Sequence, residues 1–436
     1  MDETPSPFLR KTTEPADRLA AGGDSSQTRT VIGISVDLYA QKIFAVMVTV
    51  DGNGLNIRPK ILLTKEIVLS GQVTSLWLAL LQGRPISLVD KSLLQIELTN
   101  QMTELAESLL VLSERVRHEV LALGVFDPGI WSLSSDKPLF YNGLCDSVLL
   151  AEQTGLNVID HFPMRDLASG GQGEGVDLLA KWLFLSDNPN DSKSMQTPSP
   201  KGLIEVKETQ TLLTYLPVRQ EKILRPPKQI VLHVGPGAAY WEESFSKRIF
   251  GISKPENDRK PSISNNLGKS DLSPYFPISG GWIPEYSPEN LRVIKDFKEK
   301  SLDSASTLPI MLAANIQKAI RDYFPRLTRV NDFLVHSPYS SPETLCQLLK
   351  ESTEESCNYL PINTIGGHEV SLKAISGALL ALLHLDQIPA NSPEITGAQY
   401  ARILGRLTPG CLTNWQYLLH NLIEQKKTKI ALRTAI

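Results

Sequence analysis

The sequence predicts an α/β architecture in two lobes. Apolar runs of strand length alternate with helical patterns in each half. The chain has 436 residues, more than one simple core usually serves. Its 42% hydrophobic and 21% charged residues are the balance of a soluble globular protein.

The elements follow in order. Residues 1–29 are polar, rich in Pro, Asp, Glu, Ser and Thr, and carry no apolar signal segment, so they predict a disordered tail. Thr30 to Val50 predicts a strand, a turn and a second strand, closed by Asp51-Gly52 and Asn53-Gly54; a third strand follows over Ile61 to Leu69. Leu94, Leu98, Leu105, Leu109 and Leu112 recur near helical spacing and predict a helix within residues 90–120. Leu121 to Phe126 is a strand stopped by Asp127-Pro128-Gly129. Ser147 to Thr154 is a helix stopped by Gly155, and Leu156 to Phe162 is a strand leading to Asp166. Ser186 to Lys201 reads as a linker, and Gln229 to Val234 as a strand opening the second half. A polar insert (254–274) and a turn-rich stretch (Gly280 to Pro284) come next. Helices are predicted over Thr307–Phe324, Glu343–Ser352 and Val370–Leu385, with a strand at Asp332–Val335. This divides the chain into a tail (1–29), an N-terminal lobe (30–201) and a C-terminal lobe (202–436).

Several function classes drop out. A net charge of −3 with mixed signs argues against a general nucleic-acid binder. The longest apolar run, Ile375 to Leu385, is too short for a membrane span and predicts a buried helix. Cys145, Cys346, Cys357 and Cys411 show no CxxC pair or metal spacing, which suits reduced thiols in the cytoplasm. His161, His233, His336 and His384 also lack metal spacing and read as structural or surface residues, so no metal site is expected. Gly235-Pro236-Gly237 is followed by no Lys-Ser/Thr, which argues against a P-loop. The basic run Glu424 to Arg433 suits a solvated helix end or a site for an acidic partner.

The chemistry concentrates in Leu149 to Gly173, where Asp166 precedes Gly170-Gly171-Gln172-Gly173. A carboxylate beside backbone that lets a substrate approach closely is a common pocket device. By residues alone, Asp166 fits better as a helix N-cap before LASGGQG. Asp146, ahead of its helix, suits a cap or turn at least as well as ligand contact.

This stretch resembles the anhydro-N-acetylmuramic acid kinases. Asp146, Ala151, Glu152, Thr154, Gly155, Phe162, Arg165, Asp166, Ala168 and the GGQG glycines and glutamine match the family pattern; so do Pro389, Asn391, Pro393, Thr396, Gly397 and Ala398 later on. The resemblance implies the two-lobed actin-like fold of sugar kinases, with a central cleft. It implies ATP and Mg2+ as cofactors, a small-molecule amino sugar as substrate, and a homodimer as one state of assembly. It implies Asp166 as the general base and Arg165, Gly170, Gly171, Gln172 and Gly173 on the sugar side. On the nucleotide side it implies Gly33, Lys42, Gly235 and Gly237. Arg165 is expected to keep Asp166 ionised.

The nucleotide side departs from the pattern. Family members cradle phosphate with Gly- and Ser/Thr-rich hairpin turns. Here the first turn reads IGISVDLYAQKIF, with Asp37-Leu38-Tyr39 in place of Gly-Thr-Ser. GSHGQTVW becomes GVFDPGIW at Gly124 to Trp131, NIGG becomes HVGP within Val231 to Trp241, and a Gly triplet becomes Ser337-Pro338-Tyr339. After GGQG, Ala-Pro-Leu-Val-Pro becomes Glu174-Gly175-Val176-Asp177-Leu178. The expectation is a kinase-like protein with a retained sugar side and degenerate phosphate loops, a pseudo-kinase with residual sugar or partner binding; the alternative is an active ATP-dependent amino-sugar kinase.

Overall fold

A computed structural model describes residues 28–37, 41–81, 84–115, 117–134, 137–186, 198–219, 229–238, 308–324, 330–337, 342–352, 357–362, 364–365, 368–369 and 371–434. The expected tail, most of the linker, the polar insert and the Gly280–Pro284 stretch lie outside the described residues.

The chain opens with β1 (Arg29–Asp37), β2 (Lys42–Asp51) and β3 (Arg58–Val68), then α1 (Gly71–Leu81), α2 (Leu88–Ser113) and β4 (Val120–Phe126). A side hairpin, β5 (Ile130–Ser134) and β6 (Lys137–Asn142), leads to α3 (Ser147–Thr154), β7 (Val158–Asp160), α4 (Phe162–Ala168) and α5 (Leu178–Leu185). The second half contains β8 (Lys201–Val206), β9 (Gln210–Leu216), β10 (Ile230–Pro236), α6 (Leu308–Tyr323), β11 (Asp332–His336), α7 (Pro342–Ser352) and β12 (Asn358–Pro361). A short hairpin, β13 (Thr364–Ile365) and β14 (His368–Glu369), precedes α8 (Leu372–Leu385), α9 (Pro393–Thr396), β15 (Arg406–Thr408) and α10 (Leu412–Thr434).

Two sheets repeat one topology. β1 and β2, and β2 and β3, pair antiparallel, while β4 runs parallel to β1 and β7 parallel to β4. In the second sheet β8–β9 and β9–β10 are antiparallel, β11 runs parallel to β8 and β12 parallel to β11. The orders are β3-β2-β1-β4-β7, with β15 on the outer edge of β7, and β10-β9-β8-β11-β12. Each lobe therefore has its own opening hairpin. This is the two-lobed α/β arrangement that the sequence predicts.

Local chemistry explains the element ends. The Asp146 carboxylate accepts hydrogen bonds from the Val148 and Leu149 amides and starts α3, and Gly155 stops it at φ 69°. Ser87 and Asp90 form a reciprocal capping box at the start of α2.

Helix α8 binds the architecture together. It is buried on nearly every side and packs across β1, β2 and β4. Its backbone touches the sheet, so the crossing strands need glycine. A Cβ at Gly33 would run into the Ala374 carbonyl, and one at Gly124 into the Gly377 carbonyl. The same apolar core reaches Leu203 and Leu334 of the second sheet.

Three expectations need correction. Residues 372–434 return to the first sheet through α8, β15 and α10, so the lobes do not divide cleanly at residue 201. The apolar circumference of α8 requires that cover. The strand before Asp166 spans only Val158–Asp160; Pro163 in the first turn favours the helix α4, which contains Asp166. The β8–β9 hairpin was not anticipated, because its turn, Lys207-Glu208-Thr209, has no Gly or Pro to mark it.

Gly124→Ala is expected to destabilise the protein by about 1–3 kcal/mol through overpacking against α8, measured by urea unfolding.

Candidate functional site

Asp166 lies on α4 with no solvent exposure. Its Oδ1 accepts hydrogen bonds from Asn391 Nδ2 and Thr396 Oγ1, both at 2.7 Å, and its Oδ2 accepts one from the Gly173 amide at 2.8 Å. The loop closes around it. The Gly171 amide donates to the Asp166 carbonyl, the Gln172 amide to the Thr396 carbonyl, and the Gln399 amide to the Ser169 carbonyl. A Cβ at Gly171 would collide with the Asp166 carboxylate, and one at Gly173 would press on Trp131 at 2.9 Å. Gly170 and Gly173 take φ of 85° and 72°, the left-handed region that favours glycine. Asp166 is thus neither an N-cap nor a carboxylate open to solvent. It pins the GGQG loop to the 391–399 segment. Arg165 is exposed, and no described hydrogen bond or ion pair joins it to Asp166. The expected charge support is therefore absent from the described contacts.

Beside this node a cleft opens, lined by Val36, Asp127, Trp131, Gly173, Glu174, Asp177, Lys207 and Lys373 among others. Its charges pair across the lobes. Buried Lys181 on α5 holds Asp177 at 2.7 Å and Glu205 of β8 at 2.8 Å. Lys207, in the β8–β9 turn, lies 3.9 Å from Glu174, and Lys373 of α8 lies 4.0 Å from Glu208. Burial alone would raise the Asp177 carboxyl, but Lys181 and Lys207 hold it below the usual carboxylate range. Burial would lower Lys181, but Asp177 and Glu205 raise it above its ordinary value.

The residues expected on the nucleotide side are dispersed. Gly33 serves the contact with α8. Lys42 pairs with Glu66 on β3 at 2.6 Å and lies over the Phe44 ring. Gly235 is in β10, and Gly237 follows it against the backbone of the Lys207–Gln210 turn. The repeated topology makes β8–β9, not residues 231–241, the counterpart of the β1–β2 hairpin. In the sequence the glycines at 235 and 237 draw attention away from this hairpin, whose own turn carries none.

The described residues of these turns do not suit the phosphates of ATP. The β8–β9 turn carries Glu208, whose carboxylate is fully buried, and β1 ends in buried Asp37. Each is a buried carboxylate, which offers no hydrogen-bond donor to a polyphosphate. Leu38, Tyr39 and Ala40 lie outside the described residues, as do Pro338 and Tyr339. Among the described residues, no cluster of three or more His, Cys, Asp or Glu is placed to hold a metal ion. No described helix is long and apolar enough to cross a membrane.

The family profile for anhydro-N-acetylmuramic acid kinase matches residues 43–192. The kinase of that name from Acaryochloris marina (strain MBIC 11017) is 22% identical over 400 residues, covering 86% of this chain and 99% of that protein. The one from Cyanothece sp. (strain PCC 7425 / ATCC 29141) is 23% identical over 412 residues, covering 86% and 98%. The chain is thus similar to anhydro-N-acetylmuramic acid kinases over most of its length. Among solved structures, similarity extends to component A of the Acidaminococcus fermentans (R)-2-hydroxyglutaryl-CoA dehydratase, with TM-score 0.35, 8% identity and coverage of 81% and 98%. It also extends to the polyphosphate/ATP-glucomannokinase of Arthrobacter sp. strain KM, with TM-score 0.33, 11% identity and coverage of 80% and 97%.

Asp166→Asn should cost about 1–3 kcal/mol of stability, because the new amide turns a donor toward donors; thermal unfolding checks it. Lys181→Met should cost about 3–5 kcal/mol by leaving Asp177 and Glu205 buried without their cation. The Asp177 contribution is complete above 3.8 and is lost as pH falls through its depressed value. The Lys181 contribution is complete below 10.5 and is lost as pH rises through its elevated value. The stability gap between wild type and Lys181→Met is therefore constant near neutrality and shrinks in acid, as read by urea unfolding across pH.

Proposed function

We propose that this protein keeps the amino-sugar side of an anhydro-N-acetylmuramic acid kinase and has lost efficient ATP-dependent phosphorylation. One observation carries the reading. The turn that opens the second lobe presents Lys207-Glu208-Thr209, with Glu208 buried beside Lys373, where a family nucleotide turn needs free backbone donors. Each charge-assisted hydrogen bond to phosphate that is lost removes about 1.5–3 kcal/mol, and losing several removes micromolar affinity.

The sugar side supports retained recognition. The GGQG loop is ordered by buried bonds and borders a cleft whose lining includes Trp131 and Gly173. An aromatic face under a sugar ring is a common recognition surface. The ligand class proposed is a 1,6-anhydro amino sugar of the cell-wall recycling type, encountered in the cytoplasm, with a homodimer as the proposed assembly.

The test is isothermal titration with Mg-ATP together with a coupled ADP-release assay on 1,6-anhydro-N-acetylmuramic acid. The expected result is no ADP release and no binding in the low micromolar range. Turnover with the anhydro-sugar would show that the protein is a working kinase.

A further inference from the structure

Helix α10 docks on the first lobe through one side. Asn414, Leu418 and Asn421 are buried there, and Asn414 Nδ2 donates to the Arg117 and Val120 carbonyls at 3.0 and 2.8 Å. The opposite side carries an apolar stripe in solvent. Leu412, Leu419 and Ile423 are 70%, 40% and 52% exposed. With exposed Gln416 they recur at steps of four, three and four residues. At about 3.6 residues per turn, these positions lie on the face away from Leu418. Single exposed apolar residues are ordinary, but a line of them at heptad spacing is the seam of a helix pair.

The heptad continues in the sequence. The next seam positions are Lys426 and Ile430, and the helix runs on to Thr434. Charge is divided along it. Residues 412–423 hold no Asp, Glu, Lys or Arg, whereas Lys426, Lys427, Lys429 and Arg433 follow, with Glu424 as the single acid. This division decides what can cover the stripe. In a parallel pair of such helices, position 426 would meet its own copy and basic run would lie beside basic run. In an antiparallel pair centred on residue 421, position 419 meets 423, position 412 meets 430 and position 416 meets 426. Apolar then meets apolar and polar meets polar in every layer, and each basic run crosses an uncharged half-helix. That half-helix starts beside the 117–119 turn, where Glu107 pairs with Arg117 and Glu119 with Arg115, and Glu114 leaves the acids in excess. The pattern is its own complement under a two-fold axis, as an isologous interface requires.

We propose that α10 is the self-association surface of this protein, pairing antiparallel with α10 of a second copy across Leu412, Gln416, Leu419 and Ile423. This interface rests on the homodimer reading above and is independent of what the cleft binds.

The test is sedimentation velocity on the full-length chain at micromolar concentration, for wild type, Leu419→Glu, Ile423→Glu and Gln416→Glu, with thermal unfolding as the control for folding. Wild type is expected to be a dimer. Leu419→Glu and Ile423→Glu are each expected to weaken it about tenfold or more with the unfolding temperature kept, since each sets a carboxylate in the seam. Gln416→Glu is expected to tighten it about twofold or more, because the new carboxylate meets the lysine position of the antiparallel copy. A dimer untouched by Leu419→Glu and Ile423→Glu would overturn the interface and leave the homodimer reading standing. A monomeric wild type would overturn both. A dimer loosened by Gln416→Glu would place like positions face to face and overturn the antiparallel register.

Discussion

One buried carboxylate fixes the geometry on which the site depends. Asp166 accepts from Gly173 close by, and from Asn391 and Thr396, which are 225 and 230 residues away along the chain. The two stretches that most resemble the family are therefore the two sides of one hydrogen-bond node. A carboxylate without solvent must have its acceptor capacity met, and three donors meet most of it. The glycines of GGQG follow from this. Gly171 leaves space for the carboxylate itself, and Gly173 brings its amide to Oδ2 while clearing Trp131. The cleft wall inherits its shape from the node.

The second organising feature is the return of the chain to the first sheet. Helix α8 carries the longest apolar run and finds cover on β1, β2 and β4, with backbone contact at β1 and β4. It also brings Lys373 to the cleft, where the carboxylate 4.0 Å away belongs to the second lobe. With Lys181–Glu205 and Lys207–Glu174, this makes protein groups the partners of the cleft's lysines. A polyphosphate entering there would have to displace carboxylates that are largely out of water, whereas an uncharged polyol would not.

Much of the first lobe was legible in the sequence because its signals are local. The β1–β2 hairpin, α3 between Asp146 and Gly155, and β4 ending at Asp127-Pro128 each carry their own start or stop residues. The β8–β9 hairpin was not legible, since Lys207-Glu208-Thr209 marks no turn type and the glycines at 235 and 237 drew the alignment to the wrong strand. The role of Asp166 was also hidden, because its identity matches the family while its partners come from the far end of the chain.

The central claim is that the Asp166 carboxylate is a closed structural node. The most direct measurement is native-state amide hydrogen exchange at Gly171, Gln172 and Gly173. The account predicts protection of all three amides close to that of the central strands, released only by global unfolding. Fast exchange of the Gly173 amide in an otherwise protected protein would contradict it, since an open loop would leave Asp166 exposed to solvent and free to act as a base.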